Sequence, residues 1–385
     1  MARMQFGIFI PPHHVPTNYN PTLAMQRDIE LTQLADRIGF DEVWYGEHHS
    51  GGVELINDPM LFIAHVAAQT KHLRLGTGVV SLPYHNPLWI ADRLSLLDHL
   101  TRGRVMLGVG PGALATDAAM IGIQPSEQRD ALDQDMDVLM HLLTSDDPIS
   151  AETSRYKLVD ARMQLDFFQD PHPPVVAAAV VSPSGPRLAG KHGIGLISVG
   201  ATMKAGVDVL AMHWDVVEER AKEFNQNADR DAWRVVGIMH LARTKEQALK
   251  DVRFGIQAWC DYIQHTAAAP QIQVSGNNVD EYIDWAMSTG SAVIGTYEDA
   301  IEHIENILTL SNGGFGNFLL FDQNWADFET KKRSYELFAN HVIPHFKRTN
   351  VRMKKSELAL REVRDALAGK QQTAIDEYRE RHMSS

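Results

Sequence analysis

The sequence predicts an α/β protein: a single (β/α)8 barrel with insertions and a C-terminal helical extension. Three observations lead there. Eight short apolar runs with β character recur along the chain. Segments with helical spacing separate them, several opened by Asn-Pro or Asp-Pro and closed by glycine. The glycine fingerprint that a doubly wound nucleotide-binding sheet needs after its first strand is missing, which puts that architecture second.

Residues 5–10 (QFGIFI) form the first strand, stopped by Pro11-Pro12, and the loop that follows carries His13 and His14. Asn20-Pro21 opens a helix in which Leu31, Leu34, Ala35 and Ile38 share one face, and Gly39 closes it. The second strand lies in DEVWYGEHH, residues 41–49. Val43, Trp44 and Tyr45 favour a strand, Gly46 frees the backbone, and Glu47, His48 and His49 follow at once. Asp58-Pro59 starts a helix to Thr70, and residues 73–80 (LRLGTGVV) are the third strand. Asn86-Pro87 starts a helix ending at Gly103, before a fourth strand at 104–109. A glycine-rich loop, GPGALATD, leads to a helix over about 126–143. Residues 145–173 read as a polar insertion with hairpin pieces at 156–158 and 163–165. Strands five and six fall at 174–179 and 194–199, either side of a short helix at 185–192. A helix at 204–225, a seventh strand at 233–241 and a helix at 245–265 come next. A second insertion occupies 266–290, then a helix at 296–310, an eighth strand at 315–321 and a last barrel helix at 325–346. The barrel domain spans 1–349. Residues 350–385 form a charged helical extension whose Leu358, Leu360, Val363 and Leu367 are too few for a core, so it is expected docked on the barrel or a partner subunit, or frayed.

With 385 residues, 44% hydrophobic and 22% charged, the chain has ample material for a core. A net charge of −13 argues against nucleic acid and anionic membranes as partners. No run is long enough to span a bilayer, and MARMQFGIFIPP has too short an apolar stretch for a signal peptide. The single cysteine, Cys260, leaves no intrachain disulfide and no Cys-based zinc site. A cytoplasmic protein is expected.

In such a barrel the active site lies at the C-terminal ends of the strands. That rim gathers residues 11–14, 47–49, 78–84, 110–112 and 182–185. Because strand residues alternate in direction, only one of His48 and His49 easily faces the mouth, either as a structural hydrogen-bonding group or as a general acid/base. A metal-hydrolase reading needs His13, His14, His48, His49 or His85 to converge and finds no further ligand after strands five and six, so no metal is expected. Gly76-Thr77-Gly78-Val79 marks either tight barrel packing or a flat ring pressed against backbone. Ser182-Pro183-Ser184-Gly185, before a short helix, offers hydroxyls and amides to a phosphate, thinned by Pro183 and Pro186, and Arg129 offers a cation. Taken singly, each is also ordinary surface or packing.

In this order these residues resemble the bacterial luciferase-like family of flavin monooxygenases. The likeness runs over about 1–350 and is most specific in the block 39–112, from GFDEVWYGEHH to LGTGVVSLPYHNPLWIADRLSLLDHLTRGRVMLGVGPG. GTYEDAIEHI at 295–304 and GGFGNFLL at 313–320 support it. Within it the chain is similar to limonene monooxygenase and the diketocamphane-type Baeyer–Villiger enzymes, which share its LPYHNP segment. The resemblance implies a dimer that uses reduced FMN, delivered by a separate flavin reductase, and O2. A C4a-peroxyflavin then oxygenates a small apolar substrate, by epoxidation of a terpene alkene first or Baeyer–Villiger oxidation of a cyclic ketone second. It implies that His48 is catalytic and that a non-proline cis peptide joins Gly78 and Val79 against the flavin ring. Arg129 and Ser182 match phosphate-binding positions, with the amides near Ser184 and Gly185 beside them. The chemistry must be kept dry, so both insertions are expected as lids. Gly110 and Pro111 stand where the light-emitting catalytic subunit has a reactive cysteine and an arginine. Light emission is therefore not implied, and more of the phosphate charge falls to Arg129. The alternatives are a deazaflavin (F420)-dependent oxidoreductase on the same barrel and a non-catalytic flavin-binding subunit. His48 and Arg129 together argue against the latter.

Overall fold

The computed structural model describes residues 3–11, 13–14, 19–200, 207–267 and 273–383. Its strands are β1 (Gln5–Ile10), β2 (Glu42–Tyr45), β3 (Arg74–Thr77), β4 (Val80–Ser81), β5 (Val105–Gly110), β6 (Ile149–Glu152), β7 (Lys157–Ala161), β8 (Val175–Ala179), β9 (Gly195–Val199), β10 (Trp233–Leu241), β11 (Ala292–Gly295) and β12 (Asn317–Phe321). The ring β1-β2-β3-β5-β8-β9-β10-β12 closes through β12 on β1, and every pairing in it is parallel. The predicted eight-stranded barrel is therefore present, each ring strand on its predicted run.

The first helices start as their sequence signals require. Asn20 caps α1 (Pro21–Ile38), Asp58 caps α2 (Pro59–Ala67) and Asn86 caps α3 (Pro87–Thr101). In each, the cap oxygen takes a backbone N–H of the first turn and proline fills a position whose N–H would have no partner. α4 (Ala115–Ile121), α5 (Gln128–Thr144), α6 (Ser184–His192) and α7 (Leu210–Glu223) follow, with the expected helical start at 204–206 lying outside the described residues.

Phe9, Trp44, Met106, Val176, Ile197, Val236 and Leu319 fill the barrel interior. Trp44 explains Gly76, because a Cβ there would come within 2.3 Å of the indole. Beneath it Arg234 grips Glu42 through Nε (2.9 Å) and Nη2 (3.0 Å), and its guanidinium stacks on Trp44 at 5.0 Å. A buried pair of this kind links two non-adjacent strands, β2 and β10, across the barrel interior and leaves neither charge unpaired.

The third strand departs from expectation. It breaks after Thr77 at a cis Gly78–Val79 peptide, and β4 resumes beside β5. Gly108 permits this close approach: a Cβ there would lie 2.1 Å from the Thr77 carbonyl oxygen.

The helix expected at 245–265 is two, α8 (Lys245–Val252) and α9 (Ile256–His265). The chain turns at Gly255, where a Cβ would meet the Asn324 carbonyl at 1.9 Å. The second insertion contains a helix, α10 (Val279–Ser288), capped by Asn278, and is followed by β11 on the edge of β10. These elements bury their own cluster, which includes Trp259, Trp285 and Trp325. α11 (Tyr297–Leu310) carries the capping box of Thr296 and Asp299. The last barrel helix comes in pieces, α12 (Phe328–Leu337), a π turn at Phe338–Val342 and α13 (Ile343–Lys347), since Pro344 has no N–H to continue the ladder.

Residues 145–173 are not a lid. They join the end of α5 to the start of β8, fold as the β6–β7 hairpin, and leave 163–165 without strand structure. Gln169 then bonds Asp98 and the Val105 carbonyl at the opposite end of the barrel from the rim. The extension is one helix, α14 (Val351–Met383), with no buried residue, so it is not docked on its own barrel.

Arg234→Met is expected to cost about 3–5 kcal/mol in chemical denaturation by stranding Glu42. Adding Glu42→Leu should recover much of that loss, whereas additive losses would show that the two charges are not coupled.

Candidate active site

The C-terminal ends of the ring strands enclose a cavity of about 340 Å³. Its walls hold Gly78, Val79, Gly110, Gly112, Arg129, Ser182 and Ser184 on one side and Phe9, His13, Trp259, Ile263 and Phe321 among the rest. His48, Glu47 and Glu54 come from the end of β2 and its loop.

Three carboxylates organise this rim. Glu47 accepts from the backbone N–H of Ser81 (3.1 Å) and pairs with His49 and His85, both at 2.9 Å. Asp117, in the first turn of α4, pairs with His48 Nδ1 (3.1 Å) and accepts from the His49 N–H and the Ser50 hydroxyl. Glu54 pairs with His48 Nε2 (2.9 Å) and accepts from the Tyr262 hydroxyl on α9 (2.8 Å). His14 pairs instead with Asp28. The histidines on which a metal site would draw are thus spread over four carboxylates, with His49 and His85 sharing Glu47 and His13 pairing with none. Among the described residues no group of three or more metal-ligating side chains is placed to hold an ion.

Most of the predicted positions come together. Gly78 and Val79 form the cis turn on the cavity wall, and a Cβ on Gly110 would press within 2.7 Å of Val79. Arg129 reaches the cavity from the start of α5, exposed and without an ion-pair partner among the described residues. Ser182 Oγ donates to Ser184 Oγ (3.1 Å) and accepts from the Ser184 N–H (3.3 Å) where α6 begins. Gly185 stands apart from the lining. A Cβ there would come within 2.4 Å of the Ala178 carbonyl, so its glycine is explained by the packing of α6 on β8. Sequence reasoning missed Glu54, Asp117 and Tyr262. Asp117 stood in the glycine-rich loop as an acid beside a helix start, which was the one local signal available.

The model of the luciferase-like monooxygenase family matches residues 4–312. The chain belongs to that family. It is 43% identical over 349 residues to limonene 1,2-monooxygenase of Rhodococcus erythropolis, covering 90% of this chain and 87% of that protein. It is 39% identical over 348 residues to 4-hydroxyprotoasukamycin monooxygenase of Streptomyces nodosus subsp. asukaensis, covering 90% and 93%. Its fold matches the oxygenating constituent of 3,6-diketocamphane monooxygenase from Pseudomonas putida, solved with FMN, at a TM-score of 0.73 and 22% identity over 89% of this chain and 98% of that one. The chain is a flavin monooxygenase.

The electrostatics of this monooxygenase centre on His48. With a carboxylate oxygen at each ring nitrogen, both nitrogens must donate, and the ring carries its proton. Burial alone would lower its pKa. The hydrogen bonds and charges of Asp117 and Glu54 outweigh burial and hold it at about 9. Glu54 and Asp117 answer in kind, both held below the usual carboxylate range despite burial, chiefly through His48.

The raised His48 value fixes the sign of its pH effect. The stability it gains is complete below about 6.5 and is lost as pH rises through about 9. Glu54 works in the other direction: its share is complete above 4.5 and is lost as pH falls. Histidine-selective NMR should show one imidazole titrating near pH 9, moved down by at least a unit in Glu54→Gln. A His48 that titrates near 6.5 in the unaltered protein contradicts the double pairing.

Proposed function

We propose that this chain is the oxygenase of a two-component system that takes reduced FMN from a separate flavin reductase and uses O2 to oxygenate a small apolar molecule. The cavity carries this reading, because it joins a cationic, hydroxyl-bearing end to an apolar one through a wall of glycines. Arg129, Ser182 and Ser184 would hold the FMN phosphate, with the first amides of α6 beside them. The Gly78–Val79 turn and Gly110 would bound a flat ring. Reduced FMN supplies the electrons that activate O2. His48, lining the same cavity, would place a positive charge beside the reacting oxygen.

Phe9, Val236, Ile238, Ile263 and Phe321 offer apolar surface to the substrate and keep water out. Epoxidation of a terpene alkene comes first, in line with the limonene enzyme at 43% identity, and Baeyer–Villiger oxidation of a cyclic ketone second. Leu61 on α2 and Trp89, Leu96 and Leu100 on α3 are all more than half exposed, an apolar face that supports a homodimer. Among the described residues no helix is long and apolar enough to cross a membrane, in keeping with a cytoplasmic enzyme.

Anaerobic titration with reduced FMN tests the phosphate end. Arg129→Met should weaken binding about tenfold, from the loss of one charge-assisted contact, and leave reduced riboflavin unaffected. Equal losses for both flavins would remove Arg129 from the phosphate site. With a flavin reductase, ¹⁸O2 and either limonene or a cyclic ketone, labelled product is expected. Tight deazaflavin binding without oxygen uptake would overturn the oxygenase reading.

A further inference from the structure

A buried imidazole of the cavity wall has no hydrogen-bond partner among the described residues. His13 lies just past β1, is 7% exposed, and neither Nδ1 nor Nε2 makes a hydrogen bond. Its neighbour His14 shows the usual solution for a buried imidazole, a 2.8 Å bond to Asp28. His13 is kept from any such bond. Its backbone is pinned on both sides, the N–H donating to the Pro11 carbonyl and the carbonyl accepting from Asn324 Nδ2 (2.9 Å). Its ring packs edge-on against Tyr262, centroids 4.7 Å apart, with Trp259 beyond. The neighbouring carboxylate, Glu54, already commits its two oxygens to His48 and Tyr262.

A buried polar group left without a partner calls for an explanation, and a partner arriving from outside the fold is one. The position in the ring says which ligand that is. β1 and β12 lie across the barrel from β5 and β8, whose loops lead to Arg129 and Ser182. His13 therefore belongs to the apolar end with Phe321, Trp259 and Ile263, away from the phosphate end. Burial pushes its pKa down to about 4, so at neutral pH the ring offers one donor and one acceptor and no charge.

We infer that His13 binds the substrate, and that the substrate is an apolar molecule carrying a carbonyl or hydroxyl oxygen rather than a plain hydrocarbon. This deepens the function proposed above and rests on its division of the cavity. The oxygen is a handle: it orients the molecule whether the reacting bond is an alkene elsewhere in the skeleton or the bond beside the carbonyl. A neutral hydrogen-bonding residue suits such a handle, since it selects for an oxygen without demanding a charge.

The test compares limonene with carvone, which adds a ring carbonyl to the same skeleton, binding each to the full-length chain and following tryptophan fluorescence. Carvone should bind about five- to tenfold more tightly, the worth of one neutral hydrogen bond. His13→Phe should remove that preference by weakening carvone. A wild-type protein without the preference, or a His13→Phe protein that keeps it, overturns the inference. Should His13→Phe not fold, the ¹⁵N shifts of the His13 ring in the wild-type protein decide. They move with carvone and stay still with limonene if His13 binds the oxygen, and respond alike to both if it does not. Binding is read without flavin or O2. A chain that binds as expected but does not oxygenate with reduced FMN therefore overturns the proposed function and leaves His13 in place.

Discussion

A carboxylate withdrawn from water must find cations or N–H groups, and the rim of this barrel is built around that requirement. Glu47, Glu54 and Asp117 are each buried in whole or large part, and each draws partners from a different loop. Glu47 ties the end of β2 to Ser81 and His85, just past the cis turn. Asp117 ties His48 and Ser50 to α4. Glu54 ties His48 to Tyr262 on α9. Loops following β2, β4, β5 and β10 are thereby cross-linked by charge at one end of the sheet. The cavity walls inherit their positions from those bonds, and loops that would otherwise be the loosest part of the fold become its framework.

The eight ring strands were legible because each is a short apolar run bounded by a clear break, and the first helices because Asn-Pro and Asp-Pro are local signals. What was not legible was long-range. The break in the helix at 245–265 depends on Gly255 meeting Asn324, a contact that no local pattern announces. β11 is four residues long and gains its ladder only from the far half of β10. The segment 145–173 looked like a lid because length and polarity say nothing about which end of a barrel a loop covers. That depends on whether it follows a strand or a helix, and this one follows α5.

The site was legible in the same uneven way. His48, Gly78, Val79, Arg129, Ser182 and Ser184 do line one cavity. Glu47 and His49 turn out to bond one another and to support the rim, as side chains beside the principal histidine should. The partners that decide what His48 can do, Glu54 and Asp117, sit 6 and 69 residues away. A histidine read from sequence comes with its ordinary pKa; only the fold supplies the carboxylates that change it.

That change separates two histidines of one cavity. His48 and His13 begin from the same value, 6.5, and their surroundings drive them to about 9 and about 4. His13 is buried and His48 partly so; the difference is that His48 has a carboxylate at each nitrogen and His13 has none. A residue that shuttles protons works best with a pKa near the operating pH, and neither ring satisfies that. His48 is better suited to hold its proton, which under the proposed function would set a positive charge beside the reacting oxygen. His13 is suited to stay neutral and to recognise. Environments that push like groups apart assign them different work, and on the proposed function the division would run between stabilising charge and orienting a molecule.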